Sequence, residues 1–298
     1  MKTIKINHVV ALVMIAVTLM FTVSCKKENS NGPTSSNEPT ILAAAKKSAL
    51  SPWQARASGE SASQRGIIDI SEPDQTTCYG IIFDGSFAPT HDITITHDGG
   101  ATWHSQTIAA LENNYLFGVA ATTAKTVHVF GWNYMSGGGN FFRSTDGGIT
   151  WQREGANAYA DPASFPDAIE FFNPENGVIF GDPQNGSFEI YTTSDGGKNW
   201  SRVPSNKIPA PEGIEFGTAY ITDTYMTTIW TITVVVDNNY NFVKARLLQS
   251  DDKGVNWYVR NSSLPFIGGD GTIKFSNHSV GLYKNNGVLY RTTDGGTT

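Results

Sequence analysis

An all-β fold is predicted by three features of this 298-residue sequence. One short motif recurs five times, as "THDGGATW" (96–103), "STDGGITW" (144–151), "SDGGKNW" (194–200), "SDDKGVNW" (250–257) and "TTDGGTT" (292–298). Its aspartates, Asp98, Asp146, Asp195, Asp252 and Asp294, are spaced by 48, 49, 57 and 42 residues. The segments between copies are short runs rich in β-branched and aromatic residues, broken by Asn, Gly, Pro and Asp, with no helical heptads. A repeat of about 40–50 residues with several short strands in each unit is the pattern of a β-propeller.

The N-terminus stands apart from that pattern. Lys2 and Lys5 precede an apolar run from Val9 to Phe21, interrupted only by Thr18. A membrane-spanning helix needs about 20 apolar residues, so residues 1–24 read as a secretory signal peptide. The following "TVSC" (22–25) resembles a bacterial lipobox, which implies lipidation of Cys25 and a chain held at the cell envelope by its lipid. An extracytoplasmic site, on the periplasmic or surface side of the outer membrane, is the expectation. "KKENSNGPTSSNEPT" (26–40) offers nothing to bury, and residues 25–45 read as the lipidated cysteine and a flexible tether. Residues 46–298 are then the propeller.

Loss of the leader moves the net charge from −6 to −8, and no basic patch remains to meet a nucleic acid. With Cys25 lipidated, Cys78 has no partner, and its setting in "TTCYGIIF" suits a buried structural thiol. His91, His97 and His104 lack the spacing of a zinc motif, and no metal or cofactor is expected.

Within the propeller, "SPWQARASG" (51–59) reads as an outgoing strand with its own tryptophan, separated from any motif copy and suited to completing the last blade. The third unit divides into strands at 167–173, 176–182, 187–194 and 200–204, with the motif turn before the fourth. In that turn the glycines supply positive φ. The aspartate accepts backbone N–H groups, assisted by the Ser or Thr two residues earlier. The tryptophans, Trp103, Trp151, Trp200 and Trp257, open the outgoing strand and bury their rings. Five copies require at least five blades. The sequence stops inside a fifth copy, so a truncated chain from a six- or seven-bladed protein is expected.

The motif S/T-x-D-x-G-x-x-W resembles the Asp-box, or bacterial neuraminidase repeat. It is found in sialidases, sortilin-like receptors, xyloglucanase-type glycosidases and photosystem II assembly-factor-like propellers. The single-propeller assembly-factor-like group is the most similar, over residues 51–298, with "GVIFGDPQNGSFEIYTTSDGGKNW" (177–200) the strongest stretch. The resemblance implies that the boxes lie between third and fourth strands, away from the ligand face, with a structural role. Departures are Asn199 and Asn256 for Thr, and Lys253 for the first glycine.

The connections at the other face are the longest, and loops on a rigid scaffold carry function. Trp132, Tyr134, Tyr159 and Tyr240 are expected there as exposed aromatics, with Asp182 and Asp270 beside them, suited to a glycan or protein partner. A second pattern pairs "DAIEFF" (167–172) with "EGIEFG" (212–217), placing Asp167, Glu170, Glu212 and Glu215 near the central channel with Lys274 as counter-charge. Were the chain an enzyme, these carboxylates would be its acid and base for glycoside hydrolysis. The arginines and the Arg-Ile-Pro motif of sialidases have no counterpart, "RGI" (65–67) lacking the proline. The function expected first is a non-catalytic envelope-bound binding or scaffold propeller. The alternative is a sialidase-like or glucanase-like hydrolase.

Overall fold

The computed structural model describes residues 65–84, 90–265 and 271–298. The signal, Cys25, the tether, the 51–59 segment and Asp270 lie outside the described residues. Among the described residues, nineteen strands form five antiparallel sheets, each a simple meander. The first blade holds β1 (Arg65–Ser71), β2 (Cys78–Asp84), β3 (Asp92–Thr96) and β4 (His104–Thr107). The second holds β5 (Asn114–Ala121), β6 (Val127–Asn133), β7 (Gly139–Ser144) and β8 (Gln152–Glu154). The third holds β9 (Pro166–Phe171), β10 (Gly177–Gln184), β11 (Ser187–Thr193) and β12 (Ser201–Arg202). The fourth holds β13 (Ile214–Tyr225), β14 (Thr228–Val236), β15 (Phe242–Ser250) and β16 (Tyr258–Leu264). The fifth has three described strands, β17 (Gly271–Phe275), β18 (Gly281–Asn285) and β19 (Val288–Thr292). The chain is thus a five-bladed all-β propeller.

The first strand of each blade packs beside the first strand of the next, β1 on β5, β5 on β9, β9 on β13 and β13 on β17. Apolar side chains fill the seams between blades. Tyr79, Ile95 and Val129 pack between the first two blades, and Phe130, Tyr159 and Ile179 between the second and third. Phe180, Ile229 and Leu248 fill the next seam, and Trp230, Leu247 and Ile273 the last.

Every motif copy lies on the turn between a third and a fourth strand, or directly after β19 in the fifth blade. In the second blade Ser144 Oγ donates to Asp146 Oδ1 at 2.7 Å and accepts from Gly148 N at 2.8 Å. Asp146 Oδ1 accepts from Thr150 N at 2.9 Å, and Asp146 Oδ2 from the Thr150 hydroxyl at 2.6 Å. The same network recurs at Asp98, Asp195, Asp252 and Asp294. Asn199 and Asn256 keep it intact, because the Asn amide donates where the Thr hydroxyl does.

Three of the tryptophans do more than cover their own sheet: Trp151, Trp200 and Trp257 are wedged against the preceding blade. Trp200 packs with Phe141 of the second blade, and Trp257 with Phe180 of the third. Trp151 lies against the cluster of the first seam and donates from Nε1 to Gly148 O at 2.9 Å. The second box glycine makes room for this contact. A Cβ on Gly148 would come within 2.8 Å of Ile95, and one on Gly254 within 2.8 Å of Val178. Both glycines also have positive φ, 89° and 83°, so geometry and space demand the same residue.

Candidate functional site

The first strands line a central channel holding a cavity of about 180 Å³. Asp69 and Ser71 of β1, Gly118 and Val119 of β5, Asp167 and Glu170 of β9, Thr222 of β13 and Lys274 of β17 contribute to its wall. Four of these strands carry a register shift, β13 between Gly217 and Thr222 and β1, β5 and β9 by a single extra residue each. Those extra residues are Ile68, Phe117 and Asp167, which have no partner in the second strand. A bulge turns a side chain out of the sheet's alternation, which is how Asp167 comes to face the next blade.

Most of the channel's polar side chains reach across a seam. Val119 N donates to Asp69 Oδ2 at 3.0 Å, and Ala121 N to Ser71 Oγ at 2.9 Å. Thr222 Oγ1 donates to Glu170 Oε1 at 2.6 Å. Gly217 N donates to Asp182 Oδ1 at 2.9 Å. Phe275 N donates to Asp223 Oδ2, and Lys274 Nζ lies 2.8 Å from Asp223 Oδ1. Each first strand is an edge of its sheet, so N–H groups on its free side lack ladder partners, and a carboxylate or hydroxyl of the neighbouring blade satisfies them.

Enclosure by five strands raises the acids. Burial pushes Asp69 up to about 6, against hydrogen bonds from Val119 and Ile70 that pull it down. Burial pushes Glu170 up to about 7, opposed by the Thr222 hydroxyl. Asp167 and Asp182 sit together at the seam of the third and fourth blades. Burial raises both, and the charge of Asp182 raises Asp167 further. For Lys274 burial acts downward, but its hydrogen bond and ion pair with Asp223 hold it above the ordinary lysine value.

Of the four carboxylates in the sequence pattern, Asp167 and Glu170 line the cavity, while Glu212 and Glu215 lie elsewhere. Glu215 is 3 % exposed, accepts from the Thr233 hydroxyl and lies 3.2 Å from Arg246 Nε, within its own sheet. Glu212 pairs with Lys244 at 2.6 Å and Arg246 at 3.0 Å. Neither lines the cavity. The reason is register: β13 is 12 residues long and slips against β14 between Gly217 and Thr222. The residues level with Glu170 are therefore Thr222 and Asp223. Asp69, Thr222 and Asp223 were missed for the same cause, since "RGIIDIS" and "ITDTY" share no motif with "DAIEFF".

The aromatic expectation needs a similar correction. Trp132 and Tyr159 are core residues, 5 % and 0 % exposed. Trp132 packs on Phe165, and the Tyr159 hydroxyl donates to Glu189 O. Loops 133–139 and 154–166 fold on to each other, with Gly139 N bonded to Tyr159 O at 2.9 Å, and so bury what each carries. Tyr240 is half-buried against the fourth blade's cluster. Asp182 belongs to the seam described above. Tyr134 alone of the four is exposed, edge-on to Tyr115 with ring centroids 5.5 Å apart, beside the open Met135. Cys78 is half-buried, and burial together with Glu72 pushes its thiol up to about 11. Among the described residues no three His, Cys, Asp or Glu side chains converge in a way that would hold a metal.

Comparison with known proteins bears on the fold. The BNR/Asp-box repeat model matches residues 142–153, the second box. No curated protein sequence matches the chain. Among solved structures, a GH74 enzyme from Niastella koreensis is similar with a TM-score of 0.56 at 13 % identity, over 78 % of this chain and 37 % of that one. A GH74 xyloglucanase from Xanthomonas campestris gives 0.50 at 11 % identity, over 74 % of this chain and 35 % of that one. The chain thus spans just over a third of the length of these two enzymes. A looser match, with a TM-score of 0.38 at 17 % identity, is YCF48 from Cyanidioschyzon merolae, over 78 % of this chain and 97 % of that one. Repeat motif, meander sheets and structural likeness together make this chain a β-propeller built on Asp-box repeats.

Proposed function

We propose that this protein is a non-catalytic binding or scaffold propeller that recognises a glycan or an extracytoplasmic protein through its loop face, held at the cell envelope by a lipid on Cys25. The observation that carries this reading is the state of the channel carboxylates. Asp69 and Glu170 line a cavity of about 180 Å³ and are each engaged in a bond across a seam, as is Asp223 next to it. Pockets for organic ligands run to about 300–1,000 Å³, so a sugar ring with its leaving group has little room between them. Exposed Tyr134, backed by the half-buried Tyr115, and Met135 on the loop face offer the amphipathic surface that glycan or peptide recognition uses.

One observation favours a glycoside hydrolase instead. Glu170, at about 7, has the proton affinity of a general acid at neutral pH. The test is to incubate the chain without residues 1–24 with sialosides and a panel of β-glucans. The binding reading expects retention of a glycan or partner without turnover, and weaker retention in Tyr134→Ala. Hydrolysis that vanishes in Glu170→Ala overturns it. Anchoring is tested separately: labelled fatty acid should enter the full-length protein and fail to enter Cys25→Ala.

A further inference from the structure

On the fourth blade one carboxylate is held by two cations, and the chain itself supplies it. Glu212 lies just before β13. Its Oε2 is 2.6 Å from Lys244 Nζ, and its Oε1 is 3.0 Å from Arg246 Nη1. Lys244 and Arg246 alternate with Ala245 on β15 and so share one face of the strand. Ser250, which opens the fourth box, stands at the far end of β15. The Lys244–Arg246 pair therefore sits toward the loop face, away from the boxes.

The four charges of this cluster divide into a buried pair and an accessible one. Arg246 and Glu215 are both buried, with Nε 3.2 Å from Oε1. Glu215 also accepts from Glu212 N at 2.7 Å and from the Thr233 hydroxyl, which fixes it. Glu215 thus balances Arg246, and Glu212 balances Lys244. The latter two side chains are 45 % and 29 % exposed. The Lys244 hydrogen bond, with the charge of Arg246 behind it, holds the Glu212 carboxyl below the usual glutamate range. Two features make this carboxylate replaceable. Gly213 follows it at φ 65°, and a Cβ there would meet nothing within 4 Å, so the backbone beside Glu212 is free to turn. Arg246 Nη2 is buried and has no hydrogen-bond partner among the described residues, a donor that Glu212 leaves unused.

We propose that Lys244 and Arg246 form a binding site for a glutamate side chain of an acidic peptide segment, and that Glu212 fills this site in cis until such a partner displaces it. An ammonium and a guanidinium on one strand face grip a single carboxylate through charge-assisted hydrogen bonds. The ligand class follows from the occupant. Two methylenes carry the Glu212 carboxylate past the accessible Lys244 to a guanidinium whose side chain is 2 % exposed. A carboxylate set directly on a sugar ring lacks that reach. The site uses none of the residues of the reading above and survives its failure.

The test is calorimetric titration of the chain at pH 7 and low salt with acetyl-Ala-Pro-Glu-Gly-Ile-amide, the sequence of residues 210–214. Binding to Glu212→Ala should be at least tenfold tighter than to the parent, because the competing carboxylate is gone. Adding Lys244→Gln to Glu212→Ala should weaken it at least tenfold, and the same peptide with Gln in place of Glu should not bind. Glu212→Gln keeps the side chain's shape and should give the same order, which keeps the test decisive if the alanine variant fails to fold. Equal binding by the parent and the Glu212 variants overturns the proposal, as does the absence of saturable binding to those variants. So does equal binding of the Gln peptide, or tighter binding of glucuronate or inorganic phosphate than of the Glu peptide.

Discussion

Asp69 Oδ2 accepts a hydrogen bond from Val119 N at 3.0 Å, across the seam between the first two blades. The same device recurs at Asp182 with Gly217 N, and at Asp223 with Phe275 N. Successive blades share no ladder hydrogen bonds, since each sheet is its own meander. Apolar packing presses them together, and the carboxylate bonds fix how far one blade slides on the next.

Asp69→Ala therefore leaves Val119 N without a partner in an enclosed site. A loss of about 1–3 kcal/mol in unfolding free energy is expected, measured by urea denaturation. Asp69→Asn keeps an acceptor oxygen and should lose less than half of that. Equal losses in the two variants would show that charge, and not the seam bond, is what matters.

The box aspartates titrate in the opposite sense. Hydrogen bonds from the Thr150 hydroxyl and Thr150 N, then from Ser144, hold the Asp146 carboxyl down at about 2. A carboxylate lowered in the folded state contributes stability above its unfolded value, and this is lost as pH falls through the folded value. Asp146→Asn should lower the melting temperature at pH 6, and the gap from the parent should close between pH 4 and pH 2. A gap that stays constant down to pH 2 would assign the box's contribution to shape alone.

The boxes were legible in the sequence because each is local: eight residues close their own hydrogen bonds. The third-unit strands were legible for a related reason, with alternation and turn residues fixing them to within two residues. What failed was everything set by a bulge. Glu170 and Glu215 share a motif, yet a slip in β13 sends Glu215 to Arg246 and brings Asp223 to the channel. Sequence alignment of repeats assumes a constant register, and a single bulge breaks that assumption. Trp132 and Tyr159 misled because long connections suggest exposure, whereas here two loops cover each other.

Lys253 occupies a position where the other boxes have glycine, and its φ is 60°. A residue with a Cβ pays roughly 1 kcal/mol in this region, where glycine is unstrained. Lys253→Gly should therefore stabilise the protein by at most about 0.5 kcal/mol, since the greater unfolded-state entropy of glycine offsets about 0.4–1 kcal/mol of the relief. Thermal unfolding at neutral pH measures it. Destabilisation would mean that the Lys253 side chain holds the turn through contacts that outweigh its backbone strain.

Glu170 makes the sharpest pH prediction. Its proton affinity is raised in the folded state to about 7 from an ordinary 4.5, mainly by burial, with Thr222, Lys274, Asp69 and Asp223 around it. The folded state then binds more protons than the unfolded chain between those values, so stability falls as pH rises through this window. Glu170→Gln keeps an acceptor for the Thr222 hydroxyl and removes the charge. At pH 5, where the folded carboxyl is protonated, variant and parent should differ little. At pH 8 the parent must hold a desolvated carboxylate, and the variant should be the more stable by about 1–2 kcal/mol, a figure below the full shift because water reaches the channel. Urea denaturation at the two pH values reads the difference directly. A variant equally displaced at both would place the Glu170 carboxyl in contact with a cation or with bulk water, and would remove burial as the cause of its raised proton affinity.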